Sequence, residues 1–329
     1  MAWRAFRLIL ALGLAISAPA RADWWGTDFP VPTGAQDLGG RYDSLLVDGA
    51  LDPGRVEAAF APVRTRLAGM RVVIVPSYLV DILLPGREMG LIDYFSDQQL
   101  WLESLGAETL LAPIDTEAAV ADNGRALAAF LPSDDRPTCI ISHSKGGVDT
   151  LDALIRMNPA ALEGIACWIA LQAPFAGSPI ADLVADWDDA RPTIDEVLTS
   201  LGGSGRSLDD LTVEERRTHL RRADGAIRDI ACQVPILAVA TTMRPPESWI
   251  PQSRFEPGRL WMAAHGILSD GVVPTNSSIL PYAPYVVVRG LNHTDTIDGD
   301  RPFGPPVLND VLFLKAILAI ALRAPACPV

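Results

Sequence analysis

Ser144 is the residue of this chain best placed to do chemistry. It stands in Ser142-His143-Ser144-Lys145-Gly146-Gly147, after the run Thr138 to Ile141 and before a stretch with helical spacing that opens at Lys145. A chain that turns directly from strand to helix strains the residue at the bend, so the flanking positions must be small. Ser142, Gly146 and Gly147 meet that demand. Such a bend pushes the serine hydroxyl out of the sheet and sets it at a helix N-terminus, where unpaired N–H groups can stabilise an oxyanion. The pattern is a G-x-S-x-G nucleophile turn with Ser142 in place of its first glycine. An ordinary strand-turn-helix with a chance serine would read the same way, so the rest of the chain must supply a base and an acid.

A serine hydroxyl attacks only when a base takes its proton and an acid holds that base in the right tautomer. The chain has four histidines. His143 adjoins Ser144 in the turn, so its side chain is expected to point away from it. His219 lies in a charged stretch and is expected to be solvated. His265 sits in a Pro-rich excursion. His293, in Gly290-Leu291-Asn292-His293-Thr294-Asp295, follows the last apolar run, Tyr285 to Val288. Asp270 lies in the turn Ser269-Asp270-Gly271-Val272-Val273-Pro274. Ser144, Asp270 and His293 thus occur in the order nucleophile, acid, base.

The elements around them must bring these loops to one edge. Asp52 to Leu67 has helical spacing, with Val56, Phe60, Val63 and Leu67 on one stripe. Arg71 to Val75 is a β-branched run of the kind buried on both faces of a sheet. Helical stretches at Tyr94 to Leu105 and Thr116 to Leu131 alternate with short strands at Glu108 to Pro113 and Thr138 to Ile141. A helix at Lys145 to Met157 and an apolar run at Ile165 to Leu171 continue the rhythm. Alternation of this kind predicts βαβ units, a mostly parallel sheet with helices on both faces, and a site at the C-terminal ends of the strands. Ile180 to Gln233 interrupts it with charged helical sequence and the run Gly202-Gly203-Ser204-Gly205. That insertion (180–233) reads either as a lid over the site or as a solvated helical excursion, and Thr212-Val213-Glu214-Glu215 matches a capping box within it. Val234 to Ala240 resumes the sheet, and Val311 to Leu322 closes the chain as a packed helix.

Met1 to Ala22 has the form of a secretory leader. Arg4 and Arg7 precede the apolar stretch Leu8 to Ala18, and Ala20-Arg21-Ala22 is a small-residue cleavage site. The stretch is too short to span a bilayer, which takes about 20 residues. Export by the general secretory route, with a mature domain of residues 23–329 in the periplasm or outside the cell, is the expectation. Loss of Arg4, Arg7 and Arg21 takes the formal charge from −13 to −16, a balance that argues against nucleic acid and anionic membranes as partners. Of the four cysteines, Cys139 and Cys167 fall within expected core strands, where a free thiol packs as a small hydrophobe. Cys232 and Cys327 lie near element ends and are the pair expected to bridge. No spacing suggests a zinc site or any other metal or cofactor.

With these residues in place, the chain resembles the bacterial lipase and esterase branch of the α/β-hydrolase superfamily over roughly Arg71 to Leu322. The likeness rests on SHSKGG at the turn, QAPFAGSPIAD after the next strand, SLDDLT in the insertion, SDGVVP at the acid and GLNHTD at the base. It implies an α/β-hydrolase fold with an inserted helical lid or cap. It further implies a Ser144-Asp270-His293 acyl hydrolase acting on ester or lipid substrates, with transient contact at lipid interfaces. By position, the oxyanion donors are the backbone N–H groups of Lys145 and Tyr78, with Leu79 as the alternative to the second, because Pro76-Ser77 replaces the usual His-Gly pair. The Lys145 side chain reads as a solvated cation rather than a substrate contact. Polyester depolymerase, amidase and acyltransferase chemistry would use the same residues, and a non-catalytic secreted binding module is the reading outside enzymology.

Overall fold

The computed structural model describes residues 29–78, 94–133, 135–186, 206–245, 255–297 and 308–324. The chain opens with a two-residue strand β1 (Gln36–Asp37), helix α1 (Gly39–Asp43) and a small hairpin of β2 (Leu46–Val47) and β3 (Ala50–Leu51). Helix α2 (Pro53–Leu67) follows. Asp52 caps it by accepting the Arg55 N–H, Pro53 fills the first turn, and Val56, Phe60, Val63 and Leu67 form its buried stripe. Strand β4 (Arg71–Val75), helix α3 (Ser96–Ser104), β5 (Glu108–Leu111) and helix α4 (Val120–Phe130) come next. The centre of the chain is β6 (Thr138–His143), α5 (Lys145–Arg156), the short α6 (Pro159–Leu162) and β7 (Ile165–Leu171). Helices α7 (Pro179–Ala185), α8 (Arg206–Asp209), α9 (Val213–Arg222) and α10 (Asp224–Gln233) lead to β8 (Ile236–Thr242). The chain then runs through α11 (Glu256–Ala264) and β9 (Pro284–Arg289) to α12 (Asp310–Ala321).

Among the described residues, seven strands make one sheet in the order β1-β9-β8-β7-β6-β4-β5, every neighbouring pair parallel. A parallel sheet must be covered on both faces, and the alternation along each strand divides its side chains between two cores. Val72, Ile74, Ile141, Ile169 and Val239 pack with α2, α3 and α12. Val73, Val75, Ile140, Trp168 and Ile236 pack with α4, α5 and α10. From β4 the chain steps outward to β5, then crosses back to β6 and proceeds the other way to β9. The strand order therefore reverses between β4 and β6, and the crevice of such a sheet opens outside the carboxyl ends of those strands. The Ser144 turn and the Pro76 loop lie there.

Several expectations need correction. The opening segment supplies β1 to the sheet edge, where Gln36 and Asp37 pair with Pro284 and Tyr285. The helix expected from Thr116 begins at Val120, because its first N–H is taken by Asp210 Oδ2 at 2.7 Å. Thr212 makes no side-chain cap; its hydroxyl donates to the Asp209 carbonyl, and Asp182 Oδ1 accepts the Val213 N–H at 2.9 Å instead. His219 is not solvated. Its Nε2 is buried with no hydrogen-bond partner among the described residues, and burial lowers the ring's pKa to about 4. Cys139 and Cys167 are not free thiols. They are register partners on β6 and β7, with Cα atoms 4.5 Å apart, and are joined by a disulfide. Cys232 is disulfide-bonded too, whereas Cys327 lies outside the described residues, as do the leader and the glycine run at 202–205.

Candidate active site

At the end of β6 the chain bends so sharply that Ser144 takes φ 52° and ψ −125°, a sparsely populated combination for a residue with a Cβ. Its N–H donates to the Leu171 carbonyl at 2.9 Å, which anchors the bend to β7. The turn has room for nothing larger than glycine behind it. A Cβ on Gly146 would lie 2.4 Å from the Pro76 carbonyl oxygen, and one on Gly147 would lie 2.4 Å from the Ala173 Cβ. Ser142, the substitute for the first glycine, is fully buried and accepts the Trp168 indole N–H at 2.9 Å. A glycine there would leave that indole donor without this partner.

Two loops converge on the bend. The turn after α11 is closed by an antiparallel bridge between Ser269 and Pro274 and by Gly271 at φ 96°. Asp270 points inward from it. Its Oδ1 accepts the N–H groups of Val272 at 2.9 Å and Val273 at 2.7 Å, which fixes the carboxylate and leaves Oδ2 for other donors. Beyond β9, Gly290 at φ 93° starts the loop that carries His293, and the Asn292 N–H is held by Asp295 Oδ2 at 2.8 Å. The result is a continuous chain, with His293 Nδ1 2.8 Å from Asp270 Oδ2 and His293 Nε2 2.9 Å from Ser144 Oγ. Because the carboxylate can only accept, Nδ1 carries the proton and Nε2 is left to accept from the serine. The three residues are 8%, 1% and 7% exposed in the order Ser144, Asp270, His293, so the acid is shut off from solvent while serine and histidine each keep a small exposed area.

The other predicted groups are placed as follows. Lys145 opens α5, so its backbone N–H has no carbonyl four residues back within the helix. Its side chain is neither solvated nor available to a substrate. It is 1% exposed and its ammonium bonds both oxygens of Asp149, at 3.0 and 2.9 Å. Burial raises the Asp149 pKa to about 6 against the opposing pull of Lys145. In the loop after β4, the Ser77 N–H donates to Tyr94 Oη at 2.9 Å, and Tyr78 Oη accepts from Ser207 Oγ of α8 at 3.2 Å. Leu79 lies outside the described residues. His265 stays apart, with its Nδ1 against the Trp261 carbonyl at 2.8 Å. Among the described residues, no group of His, Cys, Asp and Glu could hold a metal ion, and no helix is long and apolar enough to cross a membrane.

Sequence reasoning missed two side chains here. His143 does not merely turn aside. Its Nε2 donates to the His293 carbonyl at 2.9 Å and its ring lies 5.0 Å from that of His293. Burial, with His293 alongside, lowers its pKa to about 3. Gln172 sits beneath the acid and the histidine loop; in sequence it is the polar residue just after an apolar strand, and the first of the QAPFAGSPIAD motif, with nothing to mark its contacts.

No protein-family model and no curated protein matches the sequence. Solved structures do match. The metagenomic carboxyl esterase MGS0156 superposes with a TM-score of 0.65 at 18% identity, covering 94% of this chain and 98% of that one. Lipase BlEst2 of Bacillus licheniformis, in its mature form, superposes with a TM-score of 0.52 at 21% identity over 69% of this chain and 85% of the other. Its propeptide form gives 0.58 at 19% identity, over 80% of this chain and 52% of that one. Sheet order, strand-turn-helix bend and these superpositions together give the chain an α/β-hydrolase fold.

Proposed function

We propose that this protein is an exported serine hydrolase of carboxylic esters, with lipid esters as its substrate class. The observation that carries this reading is the unbroken path from Ser144 Oγ through His293 to Asp270. Superpositions on a carboxyl esterase and on a lipase, over 94% and 80% of this chain, support the same reaction class. Ser144 Oγ attacks the ester carbonyl while His293 Nε2 takes its proton. Asp270 holds the imidazole in the accepting tautomer and stabilises the imidazolium. Backbone N–H groups of Lys145 and Tyr78 receive the oxyanion, and the imidazolium returns its proton to the leaving alcohol. A water activated by His293 then releases the acyl group. The Cys139–Cys167 disulfide supports an oxidising compartment, in keeping with cleavage after Ala22 and a mature chain from Asp23.

Hydrolysis of p-nitrophenyl esters from acetyl to palmitoyl, with Ser144→Ala as control, tests the reading. Serine-dependent turnover that favours long chains supports a lipase, and turnover of short chains alone would remove lipids from the proposal. Ester hydrolysis undiminished in Ser144→Ala would refute the mechanism. Amino-terminal sequencing of the protein recovered outside the cytoplasm should begin at Asp23.

A further inference from the structure

We propose that Gln172 is a positioning residue that locks the Asp270 carboxylate and the His293 loop together; the proposal rests on the ester-hydrolase reading above. Gln172 directly follows β7 in a conformation that favours glycine, at φ 54°, yet carries a long polar side chain that is fully buried. A residue with a Cβ is strained there. The side chain accounts for its retention, because every part of it is engaged. The Thr296 hydroxyl donates to Oε1 at 2.7 Å. Nε2, with two hydrogens, faces three acceptors, the Thr241 hydroxyl at 2.6 Å, the Asn292 carbonyl at 2.8 Å and Asp270 Oδ2 at 3.3 Å, so one hydrogen is shared and the carboxylate holds the longest contact. The amide can stand only one way round, since the Asn292 carbonyl and the carboxylate both accept and would repel Oε1.

These contacts join four separate stretches of chain, the ends of β7 and β8, the acid turn and the histidine loop. Asp270 Oδ2 is the oxygen that also receives His293 Nδ1, so the amide touches the acid at the atom that orients the base. Its bond to the Asn292 carbonyl pins the peptide immediately before His293. From the neighbouring strand, His143 holds the carbonyl immediately after it. The histidine loop is thereby held on both sides of the imidazole by two side chains of the sheet edge, in addition to the Asp295 carboxylate within the loop. Gln172 lies behind the acid and the loop rather than on the serine side, so its effect on turnover passes through Asp270 and His293.

The test compares wild type with Gln172→Met, which keeps length and burial but removes the amide, using a soluble p-nitrophenyl ester. Sites are counted by stoichiometric labelling with a serine-reactive phosphonate, so that turnover is expressed per competent site. The expected result is a per-site kcat lower by about tenfold or more with KM within about threefold. The acid limb of the pH profile should move upward, because an Asp270 oxygen relieved of one donor attracts the imidazolium more strongly. Thr296→Val, which removes the hydroxyl that orients the amide without touching Asp270 or His293, guards against a misfolded first variant. It should lower per-site kcat in the same direction by a smaller factor, and combining both changes should add nothing to Gln172→Met. Per-site kcat within threefold of wild type and an unmoved acid limb in both variants would overturn the proposal, as would a loss seen only in the number of labelled sites. A wild-type protein that neither hydrolyses esters nor takes the phosphonate at Ser144 would instead sink the hydrolase reading, and this proposal with it.

Discussion

Asp270 is held by two sets of contacts that a single substitution can separate. Its Oδ1 is bound by the N–H groups of Val272 and Val273, and its Oδ2 by His293 Nδ1, with the Gln172 amide further off at 3.3 Å. Asn at this position keeps an oxygen for the two backbone donors but turns an NH₂ group toward the imidazole, forcing the proton onto Nε2 and leaving the serine without a base. Asp270→Asn is therefore expected to unfold within a few degrees of wild type while kcat falls by roughly 10⁴-fold; thermal melts and steady-state kinetics on one preparation check both halves. The side chains of this chain of contacts were legible in the sequence because each stands in a short, chemically constrained loop. Gln172 and His143 were not, since a buried hydrogen-bond partner of a backbone carbonyl has no spacing rule. Lys145 misled in the opposite direction, because its partner Asp149 lies one turn along the same helix and looks, in sequence, like any surface pair.

The strand-turn-helix unit of β6 and α5 depends on the small residues behind it. A Cβ at position 146 would sit 2.4 Å from the Pro76 oxygen and 2.5 Å from that of Val75, both backbone atoms that cannot swing aside. Gly146→Ala should cost about 2–3 kcal/mol in denaturant unfolding. It should also lower activity in the fraction that remains folded, because the displaced Pro76 loop carries the expected oxyanion donor. A variant as stable and active as wild type would show that the Val75 and Pro76 carbonyls can give way, contrary to the packing behind the bend. At this scale the long elements were readable, since β4, β7 and β8 are mostly apolar, β6 centres on Cys139-Ile140-Ile141, and α2 carries a clean stripe. What escaped were features set by tertiary partners. β1 is only two polar residues whose pairing comes from β9, and the cap of α9 comes from Asp182, which precedes it by a whole helix and the segment 187–205.

Across the whole molecule, buried titratable groups pull stability in opposite directions with pH. Burial raises Asp182 to about 7, while its carboxylate still accepts the Val213 N–H. A raised carboxyl contributes stability below its unfolded value, near 4, and loses it as pH rises through 7. His143 and His219, lowered to about 3 and about 4, contribute stability above their ordinary value near 6.5 and lose it as acid approaches those values. Asp182→Asn removes the first contribution and keeps an oxygen for the cap. Relative to wild type it should gain about 1–4 kcal/mol at pH 8 and nothing at pH 4. Melting curves at the two pH values measure this directly, and a difference that did not change with pH would place Asp182 in a solvated setting. The measurement that bears most directly on the central claim is mass-spectrometric mapping of a serine-reactive phosphonate on the folded protein. The arrangement of Ser144, His293 and Asp270 predicts a single adduct on Ser144, formed far more slowly in His293→Ala; an adduct on another serine, or none on a folded protein, would contradict it.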